Sequence, residues 1–579
     1  MLRKIYYIST RYCISKHVLK LTVFMRLSFF ITGLLIPFSL FTQVPTGQIK
    51  GPFKFYSKIY PGTERNYWLY IPEQYDTARP ACSMIVQDGL SRANGWKLSE
   101  HMDTLIANKD IPVMIGIYID HGRVPSKDTT NYPRYNRSFE YDGLGDRYAR
   151  FLLEELIPEV KESYNLSDNP DDRCIAGASS GAICAFNAAW ERSDAFHRVF
   201  STIGTYVGLR GADEMATLVR KTEPKPLRIY LEDGYNDLNI YAGDWYLSNQ
   251  YMLSSLTWSG YEVNHAWGEG AHSSTHALII IADALKWIWK NWPTPVTAHL
   301  NDYKGMPLFK NQDGWKEVNT GIAYLDRITS NSIGELYFTS KDANGVWRLG
   351  PNGTIDALKQ YNKSYNEIAF DAEDHLIYCN KNTNSIMLTD KIWPKVLIDG
   401  IKSDKLETTR EGFYFNHTSL NKLGYYNFKS KKISYVPVSS KVTGISLNAE
   451  QSFLNVMQDN AVFGTSYKIH LDGTLEHGQS YIHYHIPYGS KTAEPRSGVV
   501  DTANILYTAT NMGVQISDQL GRVNLILPAP GVFVSDLVFG GTEMNQLYII
   551  SNGKLYMRKL NTRGKLSSMP SLKPPRPGM

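Results

Sequence analysis

Apolar and polar positions follow two different rhythms along this chain, and the rhythm changes near residue 300. Between residues 50 and 295, short apolar runs are separated by amphipathic stretches. The runs 83–86, 112–119, 173–176 and 227–231 are too short for helices and read as buried strands. Leu152, Leu153, Leu156, Ile157 and Val160 recur at helical spacing within 150–163, as do Ile280, Ala284, Trp287 and Ile288 within 277–289. Apolar strands alternating with such helices predict an α/β unit with a mostly parallel sheet covered on both faces.

The second rhythm has no helical period. A short aromatic strand recurs instead, beginning at Leu336, Leu376, Phe413, Phe453, Leu506 and Leu547, at intervals of 40, 37, 40, 53 and 41 residues. Each is followed by a polar turn and a further strand. A period near 40 residues is that of β-propeller blades, and six repeats predict six blades. The long interval holds an insertion, residues 478–495, rich in Tyr and His. The expected organisation is therefore an α/β unit over 43–296, a linker over 297–316, an all-β propeller over 317–566 and a disordered proline-rich tail over 567–579.

Composition narrows this picture. At 579 residues the chain exceeds what one core supports, and 43% hydrophobic with 20% charged residues describes an ordinary globular protein. The net charge of +5 is misleading, because residues 1–42 hold six Lys or Arg and no Asp or Glu. The remainder carries a net charge of −1, which gives no footprint for nucleic acid. Arg26 precedes an almost wholly apolar run, Leu27–Phe41, of signal-peptide length and shorter than a membrane span. Residues 1–42 are expected to be an export leader, with Met25 as an alternative start, giving a periplasmic or secreted protein without a stable membrane span. Five cysteines show no metal-ligand spacing and read as buried thiols; no cofactor or metal is expected in the α/β unit.

The candidate chemistry lies at Gly177-Ala178-Ser179-Ser180-Gly181, a G-x-S-x-G pattern. In a chain with 44 glycines the pattern alone is weak; its context carries it. A predicted strand precedes it and the helix-prone Ala182–Trp190 follows. A tight strand-to-helix turn lifts the Ser179 hydroxyl from the sheet, and the helix N-terminus aims N–H groups at a developing negative charge. A base and an orienting carboxylate should follow in the order Ser, Asp, His. Asp233 and Asp237 follow one strand and are both candidates for the acid. His272 follows another and is the candidate base, with His276 as a competitor inside the next helix and His265 as an ordinary strand residue.

With these segments in view, residues 50–295 resemble the esterase family that includes enterochelin esterase, feruloyl esterases, S-formylglutathione hydrolase and mycolyltransferases. The resemblance rests on Gln87–Leu90, Asn136–Tyr141, the Ser179 turn, Gly234–Asp237 and Gly270–His272. It implies an α/β-hydrolase fold with Ser179 as nucleophile, Asp237 as acid, His272 as base, and the backbone N–H groups of Leu90 and Ser180 as oxyanion donors. Arg137, Glu140 and Trp245 are candidates for the substrate pocket, and a structural ion pair is the alternative for Arg137 and Glu140. The second half resembles the six-bladed gluconolactonase family, which holds a divalent metal at the propeller axis. Asn366 matches that family's substrate-side Asn, but its metal ligands fall on Asp326, Thr443 and Arg496. A guanidinium where a cation belongs implies that metal and lactonase activity have been lost.

The expected function is an exported serine ester hydrolase acting through an acyl-enzyme on a small-molecule or carbohydrate ester, with sugar, phenolic and siderophore esters as the range. The alternatives are a carbohydrate or cell-surface binding protein working through the propeller, and a propeller lactonase.

Overall fold

The computed structural model describes residues 44–298, 308, 314–350, 353–358, 364–389, 394–531 and 533–577. The expected leader and most of the expected linker lie outside the described residues. Ten strands of the first half form one mixed sheet. They are β1 (Gln48–Tyr56), β2 (Glu64–Ile71), β3 (Cys82–Gln87), β4 (Met114–Ile119), β5 (Arg123–Val124), β6 (Arg134–Tyr135), β7 (Arg173–Ala178), β8 (Arg198–Thr202), β9 (Arg228–Asn236) and β10 (Glu262–Ala271). The order is β10-β9-β8-β7-β3-β4-β2, with β1 against β2 and the short β5 and β6 extending that edge.

From β4 to β10 all pairings are parallel, whereas β2 runs antiparallel to both β4 and β1. Every residue of β3, β4 and β7 is buried, as expected for strands covered on both faces. Alternate side chains feed two cores. Met84 and Val86 join Trp96, Phe200, Ile281 and Leu285 on one face, while Ile85 and Ile117 join Phe151 and Phe186 on the other.

The second half closes as six four-stranded blades. Each recurrent aromatic segment is the second strand of its blade, as in Leu336–Ser340 and Leu506–Thr510. The ring is latched by Lys316–Val318, which pairs with the last strand, Lys554–Lys559, so the two ends of the repeat share one sheet.

The halves share a core. Met457, Ile482, Tyr484, Ala493, Val523 and Ile526 of the propeller belong to the same apolar cluster as the helices behind the first sheet. Polar contacts reinforce the seam: the Glu223 N–H donates to the Ile526 carbonyl at 3.1 Å, and the fully buried Arg558 guanidinium grips Glu223 at 2.7 and 2.5 Å. The insertion lies at this seam, where Tyr484 is 2% exposed and the Tyr488 ring packs over Gly143 and Gly211.

The proline-rich end, expected to be disordered, is tied down as far as Pro575, whose carbonyl accepts from Gln519 Nε2 at 3.0 Å. Gln451 Nε2 donates to the carbonyls of Ser567 and Met569 at 2.7 and 2.8 Å, and the Leu572 N–H to that of Ala449 at 2.8 Å. Proline removes a donor but leaves the carbonyl, so the tail is held mostly through its acceptors. Cys82, Cys174, Cys184 and Cys379 are buried free thiols. Among the described residues no helix is long and apolar enough to cross a membrane.

Candidate active site

The site forms beyond the carboxyl ends of β3, β7, β9 and β10, where an open parallel sheet presents its loops. β7 runs straight into the helix Ser180–Glu191, and Ser179 at the junction has φ 58° and ψ −125°. So sharp a turn brings Gly177 onto Gly181: a Cβ on Gly177 would sit 2.1 Å from the Gly181 carbonyl oxygen. Gly177 is thus a consequence of the turn, while a Cβ on Gly181 would press on β3, 3.1 Å from Gln87 Cβ. The Ser179 N–H donates to the Thr202 carbonyl at 3.0 Å, fixing the turn to β8.

His272 follows β10 immediately and precedes the helix Thr275–Ile288. Its Nε2 lies 2.9 Å from Ser179 Oγ, and its Nδ1 lies 2.6 Å from Asp237 Oδ1. Asp237 closes a tight turn after β9, its own N–H donating to the Gly234 carbonyl at 3.1 Å. A Cβ on Gly234 would collide with the Gly270 carbonyl at 2.0 Å, so the acid and base loops approach only because glycine stands there.

The structure distinguishes the two candidate acids. Asp233 is fully buried behind Asp237, and it is Asp237 that meets the imidazole. Burial and a hydrogen bond to Asp237 push its carboxyl well up, so it is protonated at neutral pH. Burial would raise Asp237 too, but hydrogen bonds from His272, Asp233 and the Leu238 N–H hold it down and ionised. His276 lies in the last helix with Nδ1 2.7 Å from Glu232, away from the Ser179 hydroxyl. His265 sits on β10 against Trp267.

The Leu90 and Ser180 N–H groups occupy first turns of the helices Gly89–Gly95 and Ser180–Glu191, where no intrahelical acceptor is in reach. The pocket above Ser179 has a volume of about 820 Å³ and a polar wall that includes Arg92, Arg123, Arg137, His121 and Tyr135.

Two pocket candidates are corrected. Glu140 is 2% exposed and does not line the pocket; it stands behind the wall in a bidentate pair with Arg65, which does, at 2.8 and 3.0 Å. Trp245 is 3% exposed and serves as a support: its ring meets His272 edge-on, and its Nε1 donates to Thr205 Oγ1, which lies 3.2 Å from Ser179 Oγ. Arg137 does line the pocket, with both arms on Asp88 at 2.8 Å. Burial would raise the Asp88 carboxyl, but the Arg137 hydrogen bonds, the His121 ring 3.9 Å away and the Arg137 and Arg92 charges hold it well below the ordinary range. The sequence reading named Asp88 only as part of a motif. It gave no role to Thr205 or Arg92, which are isolated polar residues in their segments.

At the propeller axis the residues aligned with a metal site do not fit a cation. Thr443 Oγ1 donates to the Pro495 carbonyl, Asn366 Nδ2 donates to Ser403, and Arg496 and Arg327 occupy the same funnel.

Residues 59–276 match the family model described as "Putative esterase". The chain is 23% identical over 177 residues to the uncharacterized protein YbbA of Bacillus subtilis, covering 29% of this chain and 68% of that protein. It is 24% identical over 242 residues to the iron(III) enterobactin esterase of Dickeya dadantii, covering 39% of this chain and about half, 52%, of that enzyme. A solved gluconolactonase from Xanthomonas campestris aligns over 42% of this chain and 89% of its own, at 17% identity and a TM-score of 0.38. The family match and the enterobactin esterase relative support an esterase.

Proposed function

We propose that the chain is an exported serine carboxyl-ester hydrolase. The observation that carries the reading is the hydrogen-bonded series Ser179–His272–Asp237, with contacts of 2.9 and 2.6 Å, at the carboxyl edge of a parallel sheet. In this mechanism Ser179 Oγ attacks the ester carbonyl carbon while His272 Nε2 accepts the hydroxyl proton. The tetrahedral oxyanion is held by the Leu90 and Ser180 N–H groups, and collapse expels the alcohol, protonated by His272. Water then repeats the sequence on the acyl-enzyme and releases the acid. Asp237 fixes the imidazole tautomer and stabilises its cation without taking the proton. An acceptor alcohol in place of water gives acyl transfer.

The polar, arginine-bearing wall favours a hydrophilic ester over a lipid one, within the range of sugar, phenolic and siderophore esters. Export rests on Arg26 and the apolar run after it. A panel of aryl, feruloyl and acetyl-sugar esters tests the reading. Turnover of polar esters that disappears in Ser179→Ala is expected; no turnover above the Ser179→Ala background on any of them would overturn it.

A further inference from the structure

We propose that the funnel at the propeller axis is a binding site for a small oxyanion, a carboxylate or phosphate carried on a sugar-sized molecule. The inference is independent of the esterase reading. The funnel has a volume of about 430 Å³, within the range of small-molecule sites. Five cations line it, Arg327, Lys341, Lys405, Lys441 and Arg496, against two carboxylates, Asp326 and Asp404. They come from four different blades, so the ring brings together charges far apart in sequence.

Three carboxylates on and behind the wall are already committed to donors, and the fourth, Asp326, lies 3.6 Å from Arg327 Nη1 and 3.9 Å from Lys341 Nζ. Glu367 accepts from Lys405 at 3.4 Å, pairs with Arg327 at 3.4 Å and accepts the Ile368 N–H at 3.2 Å. Asp536 accepts the N–H groups of Ile328 and Leu537, and Asp404 accepts from Asn416 at 2.6 Å. A divalent cation would have to strip these donors and then sit beside the ammonium and guanidinium groups it displaced.

The cations, by contrast, retain unused capacity. Lys441 pairs with no carboxylate among the described residues, and the nearest to Lys341 is Asp326 at 3.9 Å. Arg496 lies over the Phe533 ring, its Cζ 4.4 Å from the centroid, and gives one arm to Glu494. Its other terminal nitrogen, Nη1, is buried without a hydrogen-bond partner. A buried guanidinium N–H left unpaired is costly, and an oxyanion seated against the Arg496 guanidinium gains charge-assisted bonds. Arg327 stays cationic there: burial would lower its pKa, but Glu367, Asp536, Asp326 and Asp404 raise it. The Arg496 guanidinium over Phe533 presents a planar donor edge of the kind that selects carboxylate or phosphate over a neutral hydroxyl.

Calorimetric titration of the full-length protein with glucuronate, inorganic phosphate, glucose and calcium chloride tests this. The expected result is saturable binding of glucuronate or phosphate that weakens as sodium chloride rises, with none for glucose or calcium. Glucuronate and phosphate together separate a sugar acid from a bare phosphate ligand. Arg496→Ala and Lys441→Ala should each weaken the binding by about tenfold or more while leaving p-nitrophenyl acetate hydrolysis unchanged. Calcium saturating the site, failure of both oxyanions to saturate, or oxyanion binding that survives in both variants would overturn the proposal.

Discussion

Ser179 is held where few L-residues go, at φ 58°, and that strain, of roughly 1–3 kcal/mol, aims its hydroxyl at His272. Ser179→Ala should lower ester hydrolysis by roughly five to six orders of magnitude and leave the fold intact, by circular dichroism and thermal melting. The two neighbouring aspartates should behave differently. Asp237→Asn gives the imidazole the wrong partner and should reduce kcat by about three to four orders. Burial and the neighbouring Asp237 push the Asp233 carboxyl up, which favours its protonated form, and an Asn amide can donate to Asp237 in its place. Asp233→Asn should therefore stay within about tenfold of wild type; the reverse ranking in a kcat comparison would move the acid to Asp233. Asp88 gives a pH signature. Its folded pKa lies below its unfolded one, so its contribution to stability is full above about pH 4 and fades as pH falls toward the folded value. Melting curves of wild type and Asp88→Asn should differ at pH 7 and converge on acidification; a constant gap would contradict this.

At the scale of elements, the sequence disclosed most where one periodicity had one cause. The double-sided burial of β3, β4 and β7 left unbroken apolar runs, and each blade's second strand left its aromatic mark. β8 escaped because it is short and begins with Arg198, whose buried guanidinium donates to the carbonyls of Asp171 and Ile288, partners distant in sequence. The hairpin β1–β2 escaped because its exposed outer strand carries little apolar pattern. The triad loops were legible, since each follows a strand, but which of two aspartates met His272 depended on a turn. Glu140 shows the other limit. A carboxylate near a catalytic motif looked like a pocket residue, and only the fold reveals Arg65 opposite it, both side chains wholly buried. Glu140→Ala should cost about 3–5 kcal/mol of stability by leaving a buried guanidinium unpaired. Denaturant unfolding measures this, and an unchanged midpoint with a raised KM would instead restore Glu140 to the pocket.

At the scale of the whole molecule, the halves divide the work yet share a core. Every proposed catalytic group lies between Leu90 and His272, but Tyr484, Ile482 and Ile526 of the propeller complete the apolar cluster behind that sheet. Residues 44–298 expressed alone should keep the rate on a small activated ester within about tenfold while melting at a lower temperature, since the exposed seam is apolar and distant in sequence from the triad. Equal melting temperatures would mean that the seam contributes nothing. The central claim, that one serine in this two-part molecule is the nucleophile, is tested most directly by reacting the full-length protein with a fluorophosphonate probe and mapping the adduct by peptide mass spectrometry. The account predicts one adduct per chain, on Ser179, absent from Ser179→Ala and strongly slowed in His272→Ala. Ester turnover accompanied by no adduct, or by an adduct on another residue, would contradict it.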